Sequence, residues 1–165
     1  MARIAGFSPI VTTASAQHAE FLKSLGATHV FNRNVSVRTI QEAFPTPVAL
    51  AFDAISVAST QQLAFEVLTT PFTPPDTHLA LVLGLDPAVG EKNADNKISV
   101  HSLFASPQLF KDLSMLLYKS LGKWIEEGNY VPNRVHLVEG GLAAIPEALD
   151  LSRKGVSGVK IVVRP

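Results

Sequence analysis

Cysteine is absent from the 165 residues, so the chain holds no disulfide, thiol nucleophile or thiolate metal site. Net charge is absent as well. Fourteen Lys and Arg balance fourteen Asp and Glu, leaving no electrostatic footprint for nucleic acid or an anionic membrane. Long apolar runs are missing: Leu79 to Leu85 is the longest, about a third of what a bilayer span needs. Met1 to Phe7 contains no apolar stretch of signal-peptide length, so a soluble, cytoplasmic protein is expected. The five histidines, at 18, 29, 78, 101 and 136, include none spaced i, i+4 from another His, Asp or Glu. No metal site is therefore expected. No G-x-S-x-G elbow accompanies the serines, which removes support for hydrolysis. No G-x-G-x-x-G or related glycine-rich run occurs either.

What is present suits a globular protein: 47% of residues are hydrophobic and 17% charged, enough for one domain or a domain plus a short appendage. Short apolar runs alternate with segments of helical period. Strands are expected at Ile10–Thr13, Thr28–Phe31, Val48–Asp53, Leu79–Leu85, Ile98–Phe104, Val135–Val138 and Val159–Arg164. Helices are expected at Ala16–Leu25 with Gly26 as C′ residue, at Val37–Phe44, Ser59–Leu68, Pro107–Glu127 and Ala144–Ser152. Thr70 to Thr77, with three prolines, reads as a loop, and residues 86–96 as a polar turn region. Gly140-Gly141 marks a turn. Continuous apolar strands joined through helices indicate an α/β fold with a parallel sheet covered by helices on both faces. In such sheets ligands bind beyond the C-terminal strand ends. That rim comprises Thr13 to Ser15, Asn32-Arg33, Asp53 to Ser56, Gly84-Leu85 and Ser102 to Phe104.

The segments Gly6 to Ser15 and Leu22 to Phe31 together resemble the second βαβ unit of a medium-chain dehydrogenase/reductase. Leu50 to Ile55 is similar to that family's strand ending in aspartate. Lys123 to Gly128, Val138 to Leu142 and Arg153 to Val163 resemble its closing segment. The likeness covers nearly the whole chain and is nearest to zinc-free fungal members, the trans-acting enoyl reductases and quinone-reductase-like proteins. It implies an incomplete doubly wound, Rossmann-like sheet, truncated at its N-terminus. Residues 1–130 would be a partial cofactor-binding domain lacking the first strand and glycine-rich loop; residues 131–165 would be the family's C-terminal return segment. Without the first strand, strands 9–14 and 48–53 either pair directly or leave two rows of backbone groups needing another partner.

The resemblance also implies NADP as cofactor and places Ser15, His18, Arg33, Ala54, Gly84, Leu103 and Phe104 around it. Serine at position 15 leaves room for a 2′-phosphate where a carboxylate would instead accept from ribose hydroxyls. His18 falls where relatives meet that phosphate with lysine. The alternative is that Ser15 caps the helix and His18 is solvated in its first turn. Arg33 could meet the phosphate or simply be a surface residue. Asp53 is expected to bond backbone groups of the adjoining loop. Leu103 and Phe104 match positions lining the nicotinamide, but ordinary core packing is the expected use of both. Lys154 and Lys160 lie in the cofactor-proximal tail and are expected to be solvated. No residue emerges as the catalytic acid or base. The function implied is NADPH-dependent hydride transfer to an activated double bond or a quinone, with a small-molecule substrate. The alternative is a non-catalytic truncated homologue acting as an interaction or effector module. Unpaired strand edges favour a homo-oligomer or another chain completing the sheet, with segment 98–104 as a pairing edge.

Overall fold

The computed structural model describes all 165 residues. They form two compact units, residues 2–117 and residues 118–165 together with Met1.

The larger unit opens with β1 (Val11–Thr13), a 3-10 turn at Ala16–His18 and α1 (Ala19–Ser24). It continues through β2 (His29–Phe31), α2 (Val37–Gln41), β3 (Leu50–Asp53), α3 (Ala58–Leu68), β4 (His78–Leu81), α4 (Pro87–Lys92) and β5 (Ser99–Ser102). α5 (Lys111–Glu126) follows. Every strand pair is parallel, as the continuous apolar strands imply.

Within this unit β1 pairs only with β2, while β3, β4 and β5 form a second sheet in that order. β1 and β3 do not pair. Backbone groups alternate between the two edges of a strand, so those of Val11 and Thr13 on β1 and of Leu50 and Phe52 on β3 point away from their partners. They find no hydrogen bond elsewhere. β1 and β3 thus each carry a row of backbone groups that no strand pairs.

Side-chain alternation sorts the second sheet into two faces. Leu79 and Leu81 are fully buried and join Leu68, Phe65 and Val67 of α3, Ile40 of α2 and Val89 of α4 in one core. Leu50, Phe52, His78, Ala80, Ser99 and His101 share the other face, where Phe52 stands 60% exposed. Gln41 ties α2 to α3 by donating to the carbonyls of Glu66 and Val67.

Several segments differ from the sequence reading; α2 ends at Gln41 rather than Phe44, and β3 and β5 are shorter than expected. β4 stops at Leu81 because the next amide, Val82, donates to the Ser56 hydroxyl instead of continuing the ladder. The region 86–96 is not merely a turn: Asp86 caps α4 by accepting from Ala88 N–H, with Pro87 in its first turn. The helix expected over 16–25 begins as a 3-10 turn, and α1 covers only Ala19–Ser24. Its stop at Gly26 is as expected, with φ of +108° and Gly26 N–H bonded to Lys23 C=O. α5 starts at Lys111 rather than Pro107.

In the smaller unit β6 (Arg134–Val138) and β7 (Val159–Val163) pair in parallel from Arg134 with Val159 to Val138 with Val163. Gly140 and Gly141, both at positive φ, turn the chain into α6 (Ile145–Lys154). Val138, Ala144 and Ala148 form its small core with Leu151, Ile161 and Val163 against them.

Candidate functional site

The rim begins where the β1–β2 ladder ends. Ala14 N–H closes it by donating to Phe31 C=O, and Ser15 follows in extended conformation. Ser15 sits at the N-cap position of the 3-10 turn, yet its side chain makes no capping bond. The helix-cap alternative is thus overturned: the hydroxyl is left for another partner. His18 ends that turn, half-buried, with Nε2 3.3 Å from Gln17 Nε2. Beyond β2, Asn32 Oδ1 accepts from Asn34 N–H and Asn32 C=O from Val35 N–H, a local turn of the kind asparagine builds. Arg33 stands at its corner, exposed. Thr13 and Phe31 are register partners, so Ser15 and Arg33 each lie two residues past the same rung. This end of the rim brings Ser15, His18 and Arg33 to one side of the smaller sheet.

The other end is built on Asp53. Its Oδ1 accepts from the amides of Ile55 and Ser56, both at 2.9 Å, and its Oδ2 from the Thr60 hydroxyl at 2.7 Å. Asp53 is therefore a structural residue serving the adjoining loop, as expected. Ser56 is buried at a φ of +56°, a conformation unusual outside glycine. Its hydroxyl donates to Asp53 C=O and accepts from Val82 N–H. Gln61, 1% exposed, donates to the carbonyls of Ser56 and Gly84 and accepts from Asp86 N–H. The loops after β3 and β4 are thereby locked into one polar hub, and no buried side-chain nitrogen or oxygen is left unpartnered.

That hub positions the remaining candidates. Ala54 follows Asp53 directly and is exposed. Gly84 presents open space, with nothing within 4 Å of where a Cβ would stand. Leu103 N–H donates to Leu81 C=O at 2.7 Å, ending the β4–β5 ladder, and Phe104 follows. Leu103 and Phe104 are 45% and 75% exposed, so they are not the core residues expected of them. They end beside an open edge with no further strand to cover them. Ala54, Gly84, Leu103 and Phe104 thus share the rim of the larger sheet. Lys154 and Lys160 lie in the smaller unit, exposed as expected.

Sequence reasoning placed Ser56 on the rim without its part in the hub, and missed Thr60 and Gln61. A signal existed: Gln61 lies four and seven residues before Phe65 and Leu68, on the buried stripe of α3. A polar residue on such a stripe has to satisfy a buried network. A concavity of about 490 Å³, lined by Asn93, Asn96, Ile98 and Val100 among others, includes none of the seven rim candidates. No helix is long and apolar enough to cross a membrane.

Residues 1–71 match the family model described as zinc-binding dehydrogenase. A zinc-type alcohol dehydrogenase-like protein of Schizosaccharomyces pombe is 32% identical over 99% of this chain and 50% of its own length. A trans-enoyl reductase of Petromyces alliaceus is 26% identical over 92% of this chain and 46% of its own. The chain thus spans about half the length of these curated relatives. The crystal structure of CurK enoyl reductase superposes with a TM-score of 0.69 at 22% identity, over 99% of this chain and 48% of that one, which establishes the shared fold.

Proposed function

We infer, for a chain that belongs to the medium-chain dehydrogenase/reductase family, that its strand rim holds the two ends of NADPH in a hydride-transferring reductase. The acceptor is an activated double bond or a quinone, a small molecule met in the cytoplasm. One observation carries the reading. On one rim of parallel strand ends, Ser15 and Arg33 offer uncommitted polar groups, while Gly84 offers a position bare of side chain.

When bound, the cofactor supplies the hydride, and the chain supplies binding and orientation. The Arg33 guanidinium can give a phosphate two parallel N–H donors, and the Ser15 hydroxyl a third. A carboxylate would have to stand here to favour unphosphorylated ribose, and positions 15, 18 and 33 carry none. Gly84 allows a nicotinamide ring to approach the backbone. Leu103 and Phe104 present the apolar surface that keeps water from it. Asp53 is committed to three donors and takes no part as acid or base.

The slot between β1 and β3 belongs to the same proposal. A further parallel strand seated on the free edges of Val11, Thr13, Leu50 and Phe52 would join the two sheets. Its C-terminal end would emerge between Ser15 and Ala54, the position at which open parallel sheets bind a pyrophosphate. Another copy or another segment of polypeptide completes the sheet in this way. A second reading, a non-catalytic interaction module, is favoured by the apolar side chains of Leu109, Leu113 and Leu116, all more than half exposed.

The adenosine end is tested separately from the rest with adenosine 2′,5′-bisphosphate, which needs no pyrophosphate loop. Calorimetry is expected to give one site that Arg33→Ala weakens at least about tenfold, with adenosine 5′-monophosphate bound weakly by both proteins. Equal affinity for the two nucleotides, or an unaffected Arg33→Ala protein, overturns the assignment.

A further inference from the structure

His78 and His101 are 23 residues apart and share no metal-binding spacing in the sequence. The β4–β5 register brings them together. His78 is paired with Ser99 and Ala80 with His101, so both imidazoles rise diagonally from one sheet face. His78 Nδ1 lies 3.0 Å from His101 Nε2, with ring centroids 5.1 Å apart and planes inclined at 45°. On the far side of its ring, His78 Nε2 faces Asp76 Oδ1 at 3.8 Å. The face is the one opposite Leu79 and Leu81, and both rings reach solvent: the His78 side chain is 40% exposed, and His101 is exposed.

We propose that His78 and His101 form a two-imidazole chelate for a divalent transition-metal ion, oriented by Asp76. The distance is the first argument. With metal–nitrogen bonds of about 2.1 Å at an angle of about 90–110°, two bound nitrogens lie about 3.0–3.4 Å apart. The pair already stands at the near end of that interval, so an ion can enter by turning the rings rather than moving the strands. The second argument is protonation. Chelation needs both facing nitrogens free of hydrogen, which puts the proton of His78 on Nε2, the side on which the Asp76 carboxylate stands 3.8 Å away. A carboxylate behind a ligating imidazole is the usual outer-shell partner of a metal-bound histidine. No group of three or more His, Cys, Asp or Glu converges, so the remaining positions of the ion carry water. Imidazole ligation with an otherwise aqueous shell selects Cu²⁺ over Ni²⁺ and Zn²⁺, and does not suit Mg²⁺ or Ca²⁺. The pair starts at the first residue of β4, at the strand end opposite the rim, so this site does not depend on the cofactor reading.

The test is calorimetric titration of the full chain with Cu²⁺ and, separately, Zn²⁺. One ion per chain is expected, bound more tightly for Cu²⁺. His101→Gln and His78→Gln each weaken it at least about tenfold, Asp76→Asn weakens it less, and His136→Gln leaves it unchanged. His101→Gln alone carries the test if the half-buried His78 is needed for folding. In a second readout, substoichiometric Cu²⁺ broadens the ring proton signals of His78 and His101 together and spares those of His29 and His136. Unchanged affinity in His101→Gln, or broadening that does not single out this pair, overturns the proposal.

Discussion

Asp53→Ala is expected to lower the stability of the residue 2–117 unit by about 3 kcal/mol, bringing its thermal midpoint down by about 10 °C. The carboxylate accepts from two amides and one hydroxyl at 2.7–2.9 Å, and the residue is only 8% exposed. Bonds to a charged acceptor are worth roughly 1.5–3 kcal/mol each, and water cannot reach all of the freed donors. Ser56 N–H is in a buried residue, whereas Ile55 is 61% exposed and its amide can turn to solvent. The loss is therefore smaller than the sum of three such bonds. Asp53→Asn keeps acceptor capacity on one oxygen and is expected to cost about half as much. Urea unfolding with an unchanged slope measures both. The loops after β3 and β4 share the hub, so the damage extends to Gly84 and Asp86, which Gln61 holds. A loss under about 1 kcal/mol for Asp53→Ala would mean that the hub does not organise the rim.

The second large effect concerns the open edges of β1 and β3. The chain is expected to self-associate reversibly, and Phe52→Lys to weaken that association by about ten- to a hundredfold. Phe52 lies on an unpaired edge and stands 60% exposed, with Leu50 at 40% beside it. Burying such a ring contributes about 1.5–3 kcal/mol, and a lysine in its place blocks a strand edge by its charge. Sedimentation velocity over a wide range of concentrations reads the outcome. A single monomer boundary at every concentration contradicts it, as would equal association by the Phe52→Lys protein.

Much of the fold was legible because its signals are local. The glycine stop at Gly26 and the prolines of 70–77 act within a few residues and appear where the sequence places them, and the apolar run Leu79 to Leu85 forms a strand as far as Leu81. Strand ends were less legible, because a long-range bond decides each one. Nothing near Val82 announces that its amide will leave the ladder for Ser56, 26 residues earlier. The same holds for the rim. Asp53 reads correctly because its partners follow it immediately, whereas Gln61 acts on residues 23 and 25 positions away. Leu103 and Phe104 look like core by composition, and only the edge position of β5 exposes them. Asp86-Pro87 was misread for a different reason, since the same dipeptide begins a turn or caps a helix.

The central claim is that this rim recognises NADPH, and the most direct measurement is a calorimetric titration of the chain with NADPH, with NADH as control. Saturable binding that favours NADPH, with Arg33→Ala reducing that preference, is the predicted result. No binding of either nucleotide at millimolar concentration, or equal binding of both, would contradict it.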